Sequence, residues 1–504
     1  MHTQRQAQFV AAGLAVSLAM AVAACEGSAV DKAGGRDRAA PVVLTFATNQ
    51  PWLPAPLDTY PDEVERRSGG ALRIELEIAW RRDEPEQEQG LIADIQAGKA
   101  DLGWVGARAF DSVGVNRFQA LVAPLLVDSY QLQRKVFEAG IPGRMLASLD
   151  AIGLAGIGVL PGPMRKMTGT SHAFLKPSDF INNVVGTSGG ALAEQTFRSL
   201  GAIPRMVPAG TKLDGLDGLD YQLDAIPQVG DATVTANLNL WPRPLVLVMN
   251  ADRFKALSPE QQQILRSTAA DEIPSALEAT RADDAHAGAG LCTAGMNVVT
   301  ATTAALAALR DVLQPVYAEL EQDPETNAFL DEIRSLKEQV GAAPESFSCP
   351  AETGSAAETA ATSFDGVYQE TTSAQDLRDL GDPNPIPENY GAFTLVFDRG
   401  RFAFTQQSDE ACTWAYGTYA VKDDRVEWTY LDGGGTSPNH AFNRPGEFFA
   451  FGWSLYRDVL TLTAINSDLS PSVFLVRPWH RLDTTPSASV LNQNCPPPPK
   501  AFER

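Results

Sequence analysis

Cysteine and histidine supply the most reactive side chains of this sequence, five of each, and their spacing limits the chemistry that the protein can perform. The histidines are His2, His172, His286, His440 and His480. No recognisable nucleophile–base motif accompanies any of them. The cysteines after Cys25 lack zinc-ligand spacing, and segment 186–190 lacks phosphate-loop or dinucleotide spacing, so we expect no metal site and no cofactor. These patterns argue against an enzyme.

The N-terminus has the pattern of an export signal. Phe9 to Ala24 is a run of apolar or small residues that follows Arg5 and is too short to span a bilayer, which predicts a signal peptide over residues 1–24. Val22-Ala23-Ala24-Cys25 resembles the lipobox of bacterial lipoproteins, which implies cleavage before Cys25 and lipidation of its thiol. The alternative is an ordinary signal whose cleavage site happens to contain cysteine. Residues 25–40, rich in small residues and charge, are predicted to be a lipid-anchored tether on the outer side of the cell membrane.

The remaining four cysteines suggest two disulfide bonds, because an even number in an exported chain favours pairing. Four cysteines allow three pairings. The domain division described below favours Cys292–Cys349 and Cys412–Cys495.

Composition excludes several partner classes. The formal net charge is −22, from 40 basic and 62 acidic residues, so the surface should repel nucleic acid and anionic lipid heads. The 44% hydrophobic content and 22 phenylalanines favour packed cores over disorder.

The elements that must position any site divide the chain into two dissimilar parts. Residues 41–345 alternate predicted strands and helices, the pattern restarts after residue 165, and long helices follow. This order predicts an α/β fold with two lobes and bracing helices. Ser129 to Leu149 is predicted as one helix. Residues 346–363 have the composition of a linker.

Residues 364–504 are predicted to form an all-β domain, either a barrel or a sandwich, because short strands alternate with turn residues. Seven candidate strands lie between Phe393 and Pro478, the last at Val473 to Pro478. Phe364 to Tyr368 loosely resembles a strand opening of lipocalin-like barrels.

Several segments of the first part resemble the solute receptors of tripartite ATP-independent periplasmic (TRAP) transporters, whose fold is that of periplasmic binding proteins. They occur in the family's order and together cover nearly all of residues 41–345. The matching segments are Ile95 to Gly103, Ala123 to Ser129, Leu160 to Asp179, Leu216 to Asp220 and Leu257 to Gln261. The resemblance implies two α/β lobes that close on one small solute, usually an organic acid.

One position departs from the family. An arginine that normally ends the first strand of the second lobe is replaced here by Gly186. A guanidinium binds a carboxylate through two parallel hydrogen bonds, so the usual clamp is absent or relocated. Arg165 matches a second family arginine and is our first choice for the anchoring charge, with Arg108 as another candidate. Alternatively the solute is neutral, such as a sugar or polyol.

Other candidates follow from sheet geometry, because ligands of open α/β sheets bind beyond the carboxyl ends of strands. Besides Arg165, the predicted ligand-binding residues are Gln50, Trp52, Arg108, Thr187, Ser188, Asn237 and Trp241. The two tryptophans either sandwich the solute or belong to the core. Thr187 and Ser188 open a helix, where they either offer backbone donors to an anion or simply cap the helix.

The resemblance therefore implies a lipid-anchored, extracytoplasmic receptor that captures a small organic solute and delivers it to the permease subunits of a TRAP-type transporter. The alternative is a cell-surface sensing or interaction protein that reuses the receptor fold, with the β domain as the partner-binding part. Neither possibility involves nucleic acid.

Overall fold

The computed structural model describes most of the chain after the predicted tether. It describes residues 40–504 except 51–52, 54–56, 58, 82–83, 85, 208–214, 225, 227–231, 294, 342, 350–361, 380–384, 423, 437–447, 465–472 and 492–504. The predicted signal peptide, nearly all of the tether, and the side chains of Cys25, Trp52 and Cys495 therefore lie outside the described residues.

Five strands form the sheet of the first lobe, in the order β2-β1-β3-β10-β4. The first three run parallel, and β10 inserts antiparallel between β3 and β4. Strands β3 and β10 are apolar along nearly their whole length, as sheets covered on both faces require. The strands are β1 (Val42–Ala47), β2 (Leu72–Glu77), β3 (Leu102–Gly106), β4 (Leu154–Leu160) and β10 (Leu245–Asn250).

Six strands form the sheet of the second lobe, in the order β11-β9-β5-β8-β6-β7. They are β5 (Met164–Gly169), β6 (Val184–Thr187), β7 (Ile203–Met206), β8 (Gly218–Tyr221), β9 (Thr233–Pro242) and β11 (Asn297–Val299). The two-lobed α/β fold predicted from the sequence is confirmed.

Helices cover both sheets and supply the brace. They are α1 (Tyr60–Arg67), α2 (Gln87–Gln96), α3 (Tyr130–Glu138), α4 (Ile141–Met145), α5 (Ala191–Ser199), α6 (Ala251–Lys255), α7 (Pro259–Asp271), α8 (Ile273–Thr293), α9 (Thr303–Val312), α10 (Gln314–Leu320) and α11 (Pro324–Val340). Helix α7 begins at a capping box, in which Ser258 and Gln261 each bond the other's backbone N–H. The single helix predicted over Ser129 to Leu149 is wrong. The chain breaks at Gly140, which has a φ of 67°, and Pro142 prevents the two helices from joining.

The chain crosses between the lobes at residues 161–163 and again at residues 243–244. The two crossings touch, because the backbone N–H of Arg243 donates to the carbonyl oxygen of Pro163 at 2.9 Å. A Cβ atom at Gly162 would overlap the carbonyl of Arg243, so glycine is required there. Next to them, Lys166 fastens β5 to β9 by donating to the carbonyl oxygen of Ala236 at 3.0 Å.

The C-terminal part is a closed barrel of eight antiparallel strands in sequence order. They are β12 (Gly366–Thr372), β13 (Gly391–Asp398), β14 (Arg401–Gln407), β15 (Cys412–Lys422), β16 (Arg425–Gly435), β17 (Phe448–Tyr456), β18 (Val459–Ala464) and β19 (Trp479–Leu482), with α12 (Ala374–Asp379) after β12. The predicted strand at Val473 to Pro478 is wrong, since Val473–Leu475 is a 3-10 turn and the last strand follows it.

Aromatic side chains fill the barrel. The Trp428 ring lies 4.7 Å from Phe451 and 5.4 Å from Phe474, centroid to centroid. Arg481 of β19 stacks over Tyr368 of β12 at 5.9 Å and donates to the carbonyl oxygen of Asp365, which ties the last strand to the first. The barrel therefore has a packed core of its own.

One of the two predicted disulfides is confirmed. Cys292 at the end of α8 pairs with Cys349, and Phe347 packs near Gly288 of the same helix. Cys412 is also disulfide-bonded, but the pairing with Cys495 stays a prediction because its partner lies outside the described residues. Helix α8 also lies against β16 and β17, so it contacts both the receptor part and the barrel.

Candidate functional site

A cleft of about 480 Å³, partly open to solvent, lies between the two lobes at the carboxyl ends of their parallel strands. Segments after β1 and β3 and the start of α2 line it from the first lobe, and segments after β6 and β7 line it from the second. The lining residues are Asn49, Gln50, Gln87, Glu88, Gln89, Trp104, Arg108, Ser188, Val207 and Arg243. Of the predicted binding residues, this cleft brings together Gln50, Arg108 and Ser188.

Arg108 spans the cleft from a 3-10 turn that follows β3. Its Nη1 donates to the carbonyl oxygens of Ser188, at 2.8 Å, and Gly189, at 3.3 Å. Its Nη2 forms an ion pair with the carboxylate of Glu88. Arg108 therefore links the two lobes, with most of its donors already engaged.

Glu88, in the first turn of α2, is the carboxylate of the cleft. Its Oε1 accepts a hydrogen bond from the backbone N–H of Gly106 at 3.0 Å. Burial alone would raise the pKa of Glu88, but the neighbouring guanidiniums of Arg108 and Arg243 and the Gly106 bond hold it below its usual value. Glu88 is thus ionised, and its charge balances that of Arg108.

Arg165 lies on β5, only 2% exposed, and is not among the described residues that line the cleft. Its Nη2 donates to the Ser188 hydroxyl at 2.7 Å, and its Nε lies 3.5 Å from Oδ1 of Asp220 on β8. Burial lowers the pKa of Arg165 and raises that of Asp220, while their mutual attraction opposes both shifts. Arg165 therefore supports the cleft wall through Ser188.

Arg243, at the second crossing between the lobes, lines the cleft and was missed by the sequence reasoning. Its guanidinium lies over the indole of Trp104, 5.4 Å from the ring centroid. Burial lowers the pKa of Arg243 to about 10, which leaves it protonated at neutral pH. A charged residue between Pro242 and Pro244, where the chain leaves one lobe for the other, is the sequence signal that could have indicated it.

Two other predicted residues lie outside the cleft lining. The side-chain amide of Asn237 donates to the carbonyl of Ala301 at 2.7 Å and accepts from its N–H at 2.8 Å. Trp241 is buried beside Arg165 in the β-sheet register, and its ring packs edge-on against Phe197 at 5.9 Å. Direct solute contacts by these two residues stay predictions, as does that of Trp52.

The start of helix α5 is already capped. Both oxygens of Asp111 accept hydrogen bonds there, from the backbone N–H groups of Ala191, at 2.9 Å, and Leu192, at 2.8 Å. Asp111, rather than Thr187 or Ser188, therefore caps this helix start. Thr187, at the end of β6, is buried, and its hydroxyl has no hydrogen-bond partner within the described chain.

The position of Gly186 has no room for the family's arginine. A Cβ atom there would lie 2.6 Å from Leu219 and 2.8 Å from Leu216. Real Cβ atoms do not approach other side chains so closely, so the apolar packing around β6 would have to shift. The clamp is therefore absent at this position, and any carboxylate anchor must come from elsewhere.

The described residues contain no group of three or more histidine, cysteine, aspartate or glutamate side chains arranged to hold a metal ion. No helix in that part of the chain combines the length and apolar character needed to cross a membrane.

Comparison with known proteins decides the family. Residues 45–323 match the model of the bacterial extracellular solute-binding proteins, family 7 (DctP). The chain is a family 7 solute-binding protein. This TRAP-receptor family consists of extracytoplasmic receptors that bind small solutes and work with membrane permeases, so the prediction of a receptor rather than an enzyme is confirmed.

Relatives of this family 7 protein are distant in sequence. It is 23% identical over 248 residues to the 2,3-diketo-L-gulonate-binding periplasmic protein YiaO of Escherichia coli, a match that covers 47% of this chain and 74% of YiaO. The sugar acid binding protein DctPAm of Advenella mimigardefordensis, solved with galactonate, shares 18% identity at a TM-score of 0.52, over 60% of this chain and 99% of that one. A TRAP solute-binding protein from Xanthobacter autotrophicus, solved with β-D-galacturonate, shares 19% identity at a TM-score of 0.52, over 58% of this chain and 99% of that one.

Proposed function

We propose that this protein captures a sugar acid or a related organic acid in the interlobe cleft and delivers it to a TRAP-type permease. The observation that carries the proposal is an excess of hydrogen-bond donors at the cleft. Buried N–H groups at Trp104 Nε1 and Arg108 Nε have no hydrogen-bond partner among the described residues, although both residues line the cleft.

An acceptor-rich, negatively charged solute fits this arrangement. A buried donor without a partner costs about 1–3 kcal/mol, which a solute oxygen would recover. Glu88 does not supply that oxygen in the structure, where its carboxylate oxygens contact Arg108 and Gly106 instead. Charge also favours an anion, because two arginines, Arg108 and Arg243, line the cleft with one carboxylate, Glu88.

The rest of the lining suits hydroxyl groups. Three glutamines, Gln50, Gln87 and Gln89, line the cleft and offer both donors and acceptors. The galactonate and galacturonate in two of the solved structures each combine one carboxylate with several hydroxyls, which supports a sugar acid as the solute.

A thermal-shift screen tests the proposal. Sugar acids, including galactonate and galacturonate, should raise the melting temperature by several degrees at saturating concentration, because a ligand of the folded state stabilises it by mass action. Neutral sugars and polyols of the same size are the matched controls. Stabilisation by the neutral compounds alone would contradict the proposal and favour the neutral-solute alternative.

We further propose that lipid on Cys25 holds the receptor at the outer face of the cell membrane, where it meets the permease. The support is the lipobox-like Val22-Ala23-Ala24-Cys25, which falls at the end of the apolar run. A lipid anchor would confine the receptor to the membrane that contains its transporter.

A further inference from the structure

We propose that Arg243 binds the carboxylate of the solute directly and is the main residue of this cleft that holds an anionic solute. The inference rests on the proposed function and deepens it, since it assigns the residue that selects acids. Three arginines lie at or behind the cleft, and their existing contacts separate them.

Arg108 is already committed to other groups. Its Nη1 bonds two backbone carbonyls of the second lobe, and its Nη2 pairs with Glu88. A solute carboxylate at Arg108 would have to compete with an ionised Glu88 for the same guanidinium. Of the three guanidinium nitrogens of Arg108, only Nε has no partner among the described residues, and the positive charge is already balanced by Glu88.

Arg165 is separated from the cleft by its own partner. Its Nη2 reaches only the Ser188 hydroxyl, and the carboxylate of Asp220 lies beside its Nε. Ser188 lines the cleft whereas Arg165 does not, among the residues that the structure describes. Arg165 acts on the solute through Ser188 and is a positioning residue.

Arg243 lines the cleft with its charge unpaired. Its guanidinium lies over the Trp104 ring and forms no hydrogen bond or ion pair with any other described residue. Burial and the guanidiniums of Arg165 and Arg108 lower the pKa of Arg243, and the charges of Glu88 and Asp224 oppose this shift. A half-buried cation that lies over an indole ring and lines the cleft attracts a carboxylate strongly.

The backbone of Arg243 is held rigidly for this task. Pro242 and Pro244 flank it and fix their own φ angles, and the Arg243 N–H is bonded to Pro163. The carbonyl of Pro244 accepts from the N–H of Ala107 at 2.9 Å. An anchor held in place before the solute arrives loses less conformational entropy on binding.

Trp104 completes the anchor. Its indole N–H is buried without a partner in the described structure, and it lines the same cleft as Arg243. The ring orients the guanidinium, and the free N–H offers a second donor to the carboxylate or an adjacent hydroxyl.

Calorimetry with D-galacturonate and D-galactonate tests this inference. Arg243→Ala should weaken binding of both acids at least about 30-fold, the loss expected when one partner of a buried charge pair is removed. Arg243→Lys should recover only part of this loss, because an ammonium cannot form two parallel hydrogen bonds. Trp104→Phe, which retains a stacking ring but lacks the N–H, should weaken binding by several-fold.

The matched control is Arg266→Ala. Arg266 also stacks on an aromatic ring, that of Phe254 at 4.6 Å, but it lies on α7 and does not line the cleft. This variant should bind both acids as the wild type does. Melting temperatures of all variants show whether each is folded. If Arg243→Ala does not fold, Arg243→Lys still tests the role of Arg243.

The outcomes separate the inference from the proposed function. Wild-type protein that binds an acid, with unchanged affinity in Arg243→Ala, or in Arg243→Lys if only that variant folds, overturns the role of Arg243 and leaves the proposed function standing. Wild-type protein that binds neither acid contradicts the sugar-acid proposal and this inference together.

Discussion

Arg165, the predicted carboxylate anchor, lies behind the residues that line the cleft. Its sequence position matches a family arginine, and the structure places it one side chain behind the cleft, bonded to Ser188 and next to Asp220. Arg165 and Asp220 form a buried pair, and such pairs are sensitive to the loss of one member.

We expect Arg165→Ala to lower the free energy of unfolding by about 3–5 kcal/mol, because it leaves the carboxylate of Asp220 buried without its cation. Urea denaturation measures the change. Arg165→Met with Asp220→Leu is the control, since removing both charges should cost much less than removing one. Equal stability of Arg165→Ala and wild type would show that the pair contributes nothing.

The three predicted residues that line the cleft share one feature. Gln50, Arg108 and Ser188 each follow a parallel strand, so the rule that ligands sit beyond strand ends located them. The rule does not reach Arg243, which lies at the crossing between β9 and β10, and Trp241 is buried within β9. Strand polarity alone does not reveal which face a residue takes at a crossing.

At the scale of single elements, β12 carries a buried acid. Glu370 points into the barrel, and its carboxylate accepts a hydrogen bond from the Thr372 hydroxyl at 2.9 Å. Burial raises the pKa of Glu370 to about 7, while Thr372 and Arg477 oppose the rise and Asp376 adds to it. The folded barrel therefore prefers Glu370 in its protonated form.

The sign of the pH effect follows from this raised pKa. The contribution of protonated Glu370 to the free energy of unfolding is complete below the unfolded-state pKa near 4.5, and it is lost as the pH rises through about 7. At pH 8, Glu370→Gln should stabilise the barrel by at most about 3 kcal/mol and should flatten the pH dependence. Chemical denaturation of the wild type and of Glu370→Gln at pH 5 and pH 8 measures this difference in stability. An identical pH dependence in the two proteins would contradict the raised pKa of Glu370.

The bond between Cys292 and Cys349 closes a loop with a sequence separation of 57 residues. In the chain-entropy model this loop stabilises the folded state by about 4 kcal/mol. We expect the double variant Cys292→Ser/Cys349→Ser to unfold at a lower denaturant concentration by a corresponding amount. Reduction of the wild-type protein is the parallel measurement, and an unchanged midpoint in the double variant would count against the model.

Element boundaries were less predictable than element types. The apolar strands of both lobes were identified from their composition, whereas β12, with its polar Gln369, Glu370 and two threonines, was proposed only as a strand opening. The break at Gly140 was missed because the apolar periodicity continues through it, although backbone sterics end the helix there. The periodicity of apolar residues indicates which side chains are buried, whereas a break in a helix depends on the backbone preferences of single residues.

At the scale of the whole molecule, helix α8 contacts each of the two parts. Ala287 and Leu291 pack with residues of β8 and β9, and the same helix lies against β16 and β17 of the barrel. The aromatic core of the barrel leaves its described interior filled by side chains, which favours a structural or docking role over a second solute site.

Membrane attachment is tested by one substitution. Cys25→Ser should release the protein from the membrane fraction, because the thiol that would carry the lipid is absent. Fractionation of cells that express either form, with an immunoblot for the receptor, gives the answer. If both forms fractionate identically, the predicted lipidation of Cys25 is wrong and residues 1–24 are an ordinary signal peptide.

The central claim is that the cleft selects a solute by its carboxylate, and calorimetry with D-galacturonate and D-galactose tests it most directly. The two sugars differ only at C6, where the acid carries a carboxylate and the sugar a hydroxymethyl group. The account predicts that the wild-type protein binds galacturonate at least about 30-fold more tightly than galactose. Equal affinity for the two, or tighter binding of galactose, would contradict it.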